Sequence, residues 1–143
     1  MAWNKTSDAV FMPLATAVID QGSRYRWSAN TGDVRALENA TQSQRRAAQW
    51  VHANSLRFHL TFSSAYSGVL HLYALDWDGS RRRGTVYVDD GVSVRSVVLG
   101  SSFHNGAWMH FPINIAAGAT VSVRVDASAG NATLSGLFLG GGG

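Results

Sequence analysis

The sequence predicts an all-β fold, an antiparallel β-sandwich that is jelly-roll-like and has about eight to ten strands. Three observations predict it. Glycine is frequent and proline is rare, with 15 and 2 copies among 143 residues. Short runs that alternate apolar and polar residues recur between turn signals. A longer run, residues 68–79, is mostly apolar until it ends in Asp-Trp-Asp-Gly, which predicts a central strand covered on both faces.

The first third of the chain is less regular. Residues 9–12, 15–18 and 24–27 predict short strands. Residues 35–40 fit either one helical turn or a brief strand. Residues 44–52 have helical propensity in a β setting, and we expect a strand in their second half.

The remaining two thirds give clearer signals. Residues 56–62 alternate and should point their apolar side chains inward. Residues 84–88 and 92–99 should form a hairpin, because a short Asp-Asp-Gly link joins them. Residues 107–113 predict a strand whose proline favours a sheet edge or a strand end. Two further strands are expected at 120–125 and 134–139. The phenylalanines expected in the core are Phe58, Phe62, Phe111 and Phe138.

Length and composition predict one domain, residues 1–139, followed by a glycine-rich linker remnant at 140–143. The sequence has no cysteine, which excludes disulfides and thiolate chemistry. No run approaches the roughly 20 apolar residues of a membrane span, and no signal peptide is visible. We therefore expect no membrane partner.

The net charge of +3 comes mainly from arginine, since only Lys5 accompanies the arginines. Arginine serves planar and bidentate contacts as well as charge. The arginines are scattered along the chain, and no known motif organises them. A nucleic-acid partner is therefore not expected.

Catalysis has one pair of candidates, Asp76 and Asp78, which lie at the end of the long apolar run. Three arginines at positions 81–83 should keep both carboxylates ionised and poor as acids. The five histidines lack metal-ligand spacing, and no nucleophile elbow or phosphate loop is present. We predict a salt-bridged corner here and a protein that is not an enzyme.

No cofactor is expected, although two stretches admit structural calcium. Asp76, Asp78 and the carbonyl of Gly79 resemble the start of a calcium loop, but arginines stand where later ligands belong. Asp89 and Asp90 are the second candidates. For them, use in a structural turn is the favoured interpretation.

The aromatic residues are the strongest indication of a binding function, because rings presented near polar side chains suit sugars. A sugar stacks its C–H face on a ring, while its hydroxyls bond to neighbouring donors and acceptors. The alternative is that Trp50, Trp77 and Trp108 fill the interior of the sandwich. The candidate ligand-binding residues are Trp27, Trp77, Phe103, His104 and Trp108, with Arg26, Arg82 and Asn105 as polar partners.

Five segments, residues 25–37, 46–50, 72–78, 102–106 and 131–138, come in the same order as in a family of bacterial β-sandwich accessory modules. In these segments the chain resembles carbohydrate-binding modules appended to secreted polysaccharide-degrading enzymes. The resemblance covers roughly residues 20 to 139. It implies a secreted or extracellular location within a larger protein. It also suggests that the Asp-Trp-Asp segment with Arg82 is framework rather than ligand site. Two departures are a different N-terminal region and Arg83-Gly84 where the family commonly has Glu.

The resulting prediction is a non-catalytic carbohydrate-binding module that targets a larger secreted protein to a polysaccharide or oligosaccharide. The alternative is a structural or self-assembling β-sandwich module, such as a spacer, an adhesin domain or a homo-oligomer subunit, with no small ligand.

Overall fold

The computed structural model describes residues 2–3, 8–9, 14–38 and 43–140, and these residues form strands, turns and loops without a helix. In this part of the chain, no helix has the length and hydropathy that crossing a bilayer requires. The strands in chain order are β1 Ala2–Trp3, β2 Asp8–Ala9, β3 Ala15–Gln21, β4 Ser23–Thr31, β5 Leu37–Glu38, β6 Arg45–His52, β7 Ser55–Phe62, β8 Tyr66–Ala74, β9 Arg83–Asp89, β10 Val94–Leu99, β11 Ala107–Ile115, β12 Thr120–Ala129, β13 Ala132–Leu134 and β14 Gly136–Gly140.

The strands pair in antiparallel fashion and build two layers. One layer is a five-stranded sheet with the order β10-β9-β12-β7-β3. The other layer combines a three-stranded sheet, β11-β8-β14, with a second sheet, β13-β6-β4, to which β5 adds by pairing with β6. The short strands β1 and β2 form a separate two-stranded sheet, and β1 lies close to β6. The predicted all-β sandwich is confirmed.

The core lies between the layers and is one continuous apolar cluster. Alternation along β7 sends Leu56, Phe58, Leu60 and Phe62 inward, as predicted. Trp50 of β6 is fully buried and meets the edge of Phe58 with ring centroids 4.7 Å apart. Trp50 is therefore a core residue, and strand β6 covers Arg45–His52 of the segment 44–52 that had helical propensity, more than the second half that was expected. Burial against the five-stranded sheet outweighs that local preference.

The hairpin of β9 and β10 and the edge position of β11 are both confirmed. At the hairpin turn Asp90 Oδ1 accepts hydrogen bonds from the backbone N–H groups of Val92 and Ser93, both at 2.9 Å. Gly91 takes a positive φ of 86°, which glycine tolerates. The Asp-Asp-Gly stretch thus serves the turn.

Three sequence predictions differ from the structure. The run at 68–79 forms a strand only to Ala74, and its outer face is covered at Tyr73 but partly open at His71. The segment 134–139 is broken at Ser135, whose N–H bonds to the Tyr73 carbonyl, so β13 and β14 belong to different sheets. That break turns Phe138 outward, while Leu137 and Leu139 pack on the core. Phe138 was therefore wrongly predicted to point inward.

Three expectations lie partly outside the described residues. The described residues do not include positions 10–12 of the first expected strand or positions 39–40 of the ambiguous segment. The part of the ambiguous segment just before them, Leu37–Glu38, is a brief strand. Residues 141–143 of the expected linker also lie outside, whereas Gly140 pairs with Val69 as the last residue of β14.

Candidate functional site

A cluster of charged and aromatic side chains fills the loop that follows β8, and Arg82 is at its centre. We call this cluster the arginine–tryptophan corner; its members are Trp27, Arg35, Asp76, Trp77, Asp78 and Arg82. Nη1 of Arg82 donates to Asp78 Oδ1 at 2.6 Å and also to Asp76 Oδ1. Nε donates to Asn131 Oδ1 at 2.5 Å, and the backbone N–H donates to Asp76 Oδ2 at 3.0 Å. The salt-bridged corner is confirmed.

The two carboxylates of the corner differ in exposure. Asp76 is fully buried, so its charge is balanced inside the protein by the Arg82 guanidinium. Asp78 is exposed, and hydrogen bonds from Arg82 are the main cause that lowers its pKa. Burial opposes the charge of Arg82, but hydrogen bonds to Asp78 and Asp76 outweigh it and raise the Arg82 pKa. Asp78 and Arg82 therefore stay charged at neutral pH.

The tryptophans of the corner stack on each other. Trp27 of β4 and Trp77 lie nearly parallel, with ring centroids 6.5 Å apart and planes 20° from parallel. The Arg35 guanidinium lies 4.5 Å from the Trp77 centroid, and that of Arg82 lies 5.8 Å from the Trp27 centroid. Cations over aromatic faces are attracted to the ring quadrupole. The neighbours of these two rings are therefore already protein groups, which favours a framework role.

The loop before β11 is tied to the corner through His104. Its Nδ1 lies 2.6 Å from the Gly79 carbonyl oxygen and 3.0 Å from that of Asp76, so this nitrogen carries the proton and donates. Arg35 Nη1 donates to the His104 carbonyl at 2.9 Å. Asp33 holds Arg35 in turn, with Nη2 to Oδ2 at 2.8 Å. The loop is thereby fixed relative to the corner.

The remaining candidates from this loop and from β4 occupy different environments. Phe103 is only 5% exposed and belongs to the core, so it offers no ring face to a ligand. Its carbonyl instead accepts hydrogen bonds from the N–H groups of Asp76 and Gly106. Asn105 is exposed at the tip of the loop, and Arg26 is exposed on β4. The structure thus brings Trp27, Trp77, Arg82 and His104 together, and among the described residues no ring contact or hydrogen bond joins the side chain of another candidate to these four.

A second group of aromatics lies on the outer side of the sheet β11-β8-β14, which we call the three-stranded face. Trp108 of β11 is 50% exposed there. Its ring packs against Tyr73 of β8, with centroids 4.7 Å apart, and against Phe138 of β14, with centroids 5.4 Å apart. Trp108 is therefore held from beneath and from one side while part of its surface faces solvent.

Two histidines continue this face. His71 of β8 and His110 of β11 are direct cross-strand partners, and their Nδ1 atoms lie 2.6 Å apart. The three strands contain no Asp, Glu, Lys or Arg. Sequence reasoning missed His71, His110 and Phe138. The signal available for the histidines was their even spacing from Tyr73 and Trp108, which places all four side chains on one side of paired strands.

Tyr73 connects the three-stranded face with the arginine–tryptophan corner. Its ring supports Trp108, and its hydroxyl donates to the Arg35 carbonyl at 2.6 Å. Burial is the main cause that raises the Tyr73 pKa. Gly106 allows this approach, because it takes a φ of 90° and a Cβ at this position would collide with the Tyr73 ring. The loop, the corner and the face therefore form one connected unit.

The surface has a hollow beside the corner and another on the opposite sheet. One, of about 370 Å³, adjoins the corner and is lined by Asp78, Ser80, Arg81, Arg82 and Asn131 among others. The other, of about 320 Å³, crosses the outer side of the five-stranded sheet. Its polar lining includes Asp20, Arg57, Tyr87, Asp89 and Arg124.

The described residues contain no group of three or more His, Asp or Glu side chains arranged to hold a metal ion. Both Asp76 oxygens already accept hydrogen bonds from Arg82. The Asp90 carboxylate oxygens likewise accept hydrogen bonds from the backbone N–H groups of Ser93, Val92 and Asn114. Burial raises the Asp90 pKa, but these bonds outweigh it and lower the value overall. The two stretches considered for calcium thus use their carboxylates within the protein.

The sequence matches no protein-family model, and no curated protein matches it either. Similar folds occur among solved structures. The module TmCBM61 in complex with β-1,4-galactotriose is 14% identical, with 93% of this chain and 91% of that chain covered and a TM-score of 0.49. A family 35 carbohydrate-binding module from an environmental isolate is 17% identical, with 99% and 93% covered and a TM-score of 0.46.

A third structure is the carbohydrate-binding module CBM6cm-2 of Cellvibrio mixtus lichenase 5A in complex with cellotriose. It is 10% identical, with 84% of this chain and 86% of that chain covered and a TM-score of 0.44. These values describe a distant likeness. The assignment of this chain as a β-sandwich rests on its own strands and core.

Proposed function

We propose that this chain is a non-catalytic carbohydrate-binding module that holds a larger secreted protein on a polysaccharide. The observation that carries the proposal is the half-exposed ring of Trp108 on a sheet face whose strands contain no charged side chain. Trp50 is buried, and Trp27 and Trp77 stack on each other with arginines beside them. Among Trp27, Trp50, Trp77 and Trp108, it is Trp108 that has the most surface open to a ligand.

The chemistry of the three-stranded face suits a neutral sugar. The C–H face of a pyranose ring stacks on an indole, and Phe138 extends the apolar surface beside it. Asn105, exposed in the loop that leads into β11, supplies an amide that both donates and accepts hydrogen bonds. An uncharged, lightly polar surface gives a charged sugar no partner. We therefore expect neutral glycans to bind in preference to acidic ones.

A non-catalytic role agrees with the state of the two carboxylates in the corner. Glycosidases need one carboxyl group that is protonated near neutral pH. Asp78 has a lowered pKa, and Asp76 is buried in an ion pair with the same arginine. Neither group is suited to donate a proton to a leaving sugar.

Affinity electrophoresis tests the proposal. The protein should be retarded in gels that contain at least one neutral soluble polysaccharide, with and without a chelator. Trp108→Ala should weaken this retardation by about 30-fold or more, because buried aromatic anchors contribute about 2 kcal/mol or more to binding.

Tyr87→Ala is the matched control, since it removes a ring from the outer side of the opposite sheet. If Tyr87→Ala abolished retardation and Trp108→Ala did not, the ligand would bind in the hollow on the five-stranded sheet and not on the three-stranded face. Absence of retardation across neutral and acidic polysaccharides would contradict the proposed function.

A specific observation also supports the second candidate, a module that assembles with copies of itself. Strand β10 is an edge of the five-stranded sheet, and its outward residues Val94 and Val98 are 63% and 69% exposed. A second copy paired antiparallel about a two-fold axis at Ser96 would set each Val94 opposite the partner copy's Val98. Apolar cross-strand pairs of this kind stabilise sheets. A free apolar edge is otherwise prone to unwanted pairing.

Solution mass tests this second candidate. If β10 pairs between copies, light scattering should give a mass that rises with concentration, and Val98→Lys should return it to that of a monomer. Val34→Lys, at an exposed valine in the loop between β4 and β5, should leave the mass unchanged. A monomer at all concentrations would exclude assembly through this edge.

A further inference from the structure

The histidine pair of the three-stranded face has an arrangement that its neighbours do not explain. His71 and His110 face each other across β8 and β11, with rings nearly perpendicular at 78° and centroids 4.9 Å apart. Their Nδ1 atoms are 2.6 Å apart. Two ring nitrogens this close cannot both carry a hydrogen, because the hydrogens would collide. At least one Nδ1 therefore presents its lone pair toward the other ring.

No carboxylate competes for the two rings from their own sheet. Strands β8, β11 and β14 carry no Asp or Glu. Among the described residues, the structure gives neither ring any further hydrogen-bond or ionic partner. His110 is exposed and His71 is partly exposed, so an ion can reach them from solvent.

We propose that His71 and His110 form a two-histidine site for a divalent metal ion of the Zn²⁺ type. Neutral imidazole is a favoured ligand of Zn²⁺, Ni²⁺ and Cu²⁺. Both nitrogens belong to strands whose pairing fixes the spacing of the two backbones, so the ligands are already on one face and side by side. Water molecules fill the remaining positions around the ion.

The geometry needs a small adjustment only. Zn–N bonds of about 2.0–2.1 Å in tetrahedral geometry hold two ligand nitrogens about 3.4 Å apart. The observed separation of 2.6 Å reaches that value if the rings turn apart by less than about 1 Å, which rotation about terminal side-chain torsions supplies. A bound ion would lie between the two Nδ1 atoms.

The site differs from the proposed sugar contact and is tested without any glycan. Zn²⁺ is titrated into the protein by calorimetry at neutral pH, and we expect one equivalent to bind. Removing a group that only hydrogen-bonds to a metal ligand lowers metal affinity by about 10- to 100-fold. Removing one of the two ligands should therefore lower Zn²⁺ affinity by at least about tenfold. His71→Ala and His110→Ala should each show this loss, with thermal unfolding recorded to establish that both variants fold.

His59→Ala is the matched control. His59 lies on the outer side of the five-stranded sheet, where Nδ1 contacts Asp20 at 2.8 Å. Its removal should leave Zn²⁺ affinity unchanged. Equal affinity of the two pair variants and the wild type, or a loss with His59→Ala instead, would overturn the proposal, as would the absence of any Zn²⁺ binding.

Paramagnetic Cu²⁺ gives an independent readout of position. Trp108 lies two residues before His110 on the same face, so its indole N–H signal in an NMR spectrum should broaden at low Cu²⁺. The indole signal of buried Trp50 should not. Broadening of all tryptophan signals alike, or of none, would contradict a metal at this pair. Trp108→Ala should keep Zn²⁺ binding while it loses the sugar, so the two proposals fail separately.

Discussion

The ring of Tyr73 lies beneath Trp108 with centroids 4.7 Å apart, so a residue that is almost wholly buried supports the ring that is half exposed. The hydroxyl of the same Tyr73 donates to the carbonyl of Arg35, whose guanidinium stacks on Trp77. One side chain therefore links the surface proposed to bind a sugar with the charged corner that fixes the neighbouring loop. Its ring and its hydroxyl have separable functions.

Tyr73→Phe should separate these functions. The variant keeps the ring beneath Trp108 but leaves the Arg35 carbonyl without its donor, so we expect the free energy of unfolding to fall by about 1–3 kcal/mol. Sugar binding should be little changed. Tyr73→Leu should reduce both, because it also removes the ring. Urea unfolding and affinity electrophoresis give the two readouts, and a loss of binding with Tyr73→Phe alone would show that the hydroxyl matters to the ligand.

Arg82→Met should be one of the most destabilising single changes in the corner. It leaves the buried carboxylate of Asp76 without its counter-charge, and breaking a buried ion pair in this way costs about 3–5 kcal/mol. Arg124→Met is the matched control. Its ion pair with Asp126 is exposed, so the expected cost is about 1 kcal/mol or less. Equal midpoints of urea unfolding for the two variants would contradict a structural role for the corner.

Gly106→Ala should destabilise the loop before β11 by about 2–5 kcal/mol. Alanine at a φ of 90° is strained by about 1–2 kcal/mol, and the new methyl group also meets the Tyr73 ring at a further cost of about 1–3 kcal/mol. Gly118→Ala is the control, since its φ is 78° and a Cβ there has open space. Only the backbone strain should appear. The difference between the two thermal midpoints measures the contact between Gly106 and Tyr73.

Stability should fall as the solution is made acidic. The pKa values of Asp78 and Asp90 are lower in the folded chain than the ordinary value of 3.8, so the unfolded chain binds more protons. Stability from these groups is complete above the ordinary value and is lost as the pH falls through the lowered pKa values. Urea unfolding from about pH 6 to about pH 2 should show this decline. Asp90→Asn should make the decline shallower, and an unchanged slope would contradict the role of Asp90.

Local patterns were enough to predict most strands. The alternation of residues 56–62 and the Asp-Asp-Gly link before residue 92 describe what neighbouring residues do, and β7 and the β9–β10 hairpin follow them. Pro112 likewise indicated the edge position of β11. The pattern failed at Ser135, because its backbone bond to Tyr73 depends on a strand about sixty residues earlier. The same break explains why Phe138 faces outward.

The candidate site was predicted less completely, for the same physical reason. Trp27, Trp77 and Arg82 were all named, and a salt-bridged corner between the two aspartates and the arginines at 81–83 was expected. The stacking of Trp27 on Trp77 requires β4 and the loop after β8 to meet, which no local pattern encodes. Phe103 was named from its neighbours in the loop, but its ring enters the core. His71 and His110 stayed hidden because strand pairing, not sequence proximity, brings their rings together.

Arg82 contacts partners from distant parts of the chain: Asp76 nearby, Trp27 fifty-five positions earlier and Asn131 forty-nine positions later. Its full set of contacts can therefore form only after early and late segments have both reached their places. Contacts of such long sequence separation are slow to form. The corner should thus act as a closing step of folding, and the fluorescence change that accompanies the stacking of Trp27 on Trp77 should follow the burial of Trp50 in time.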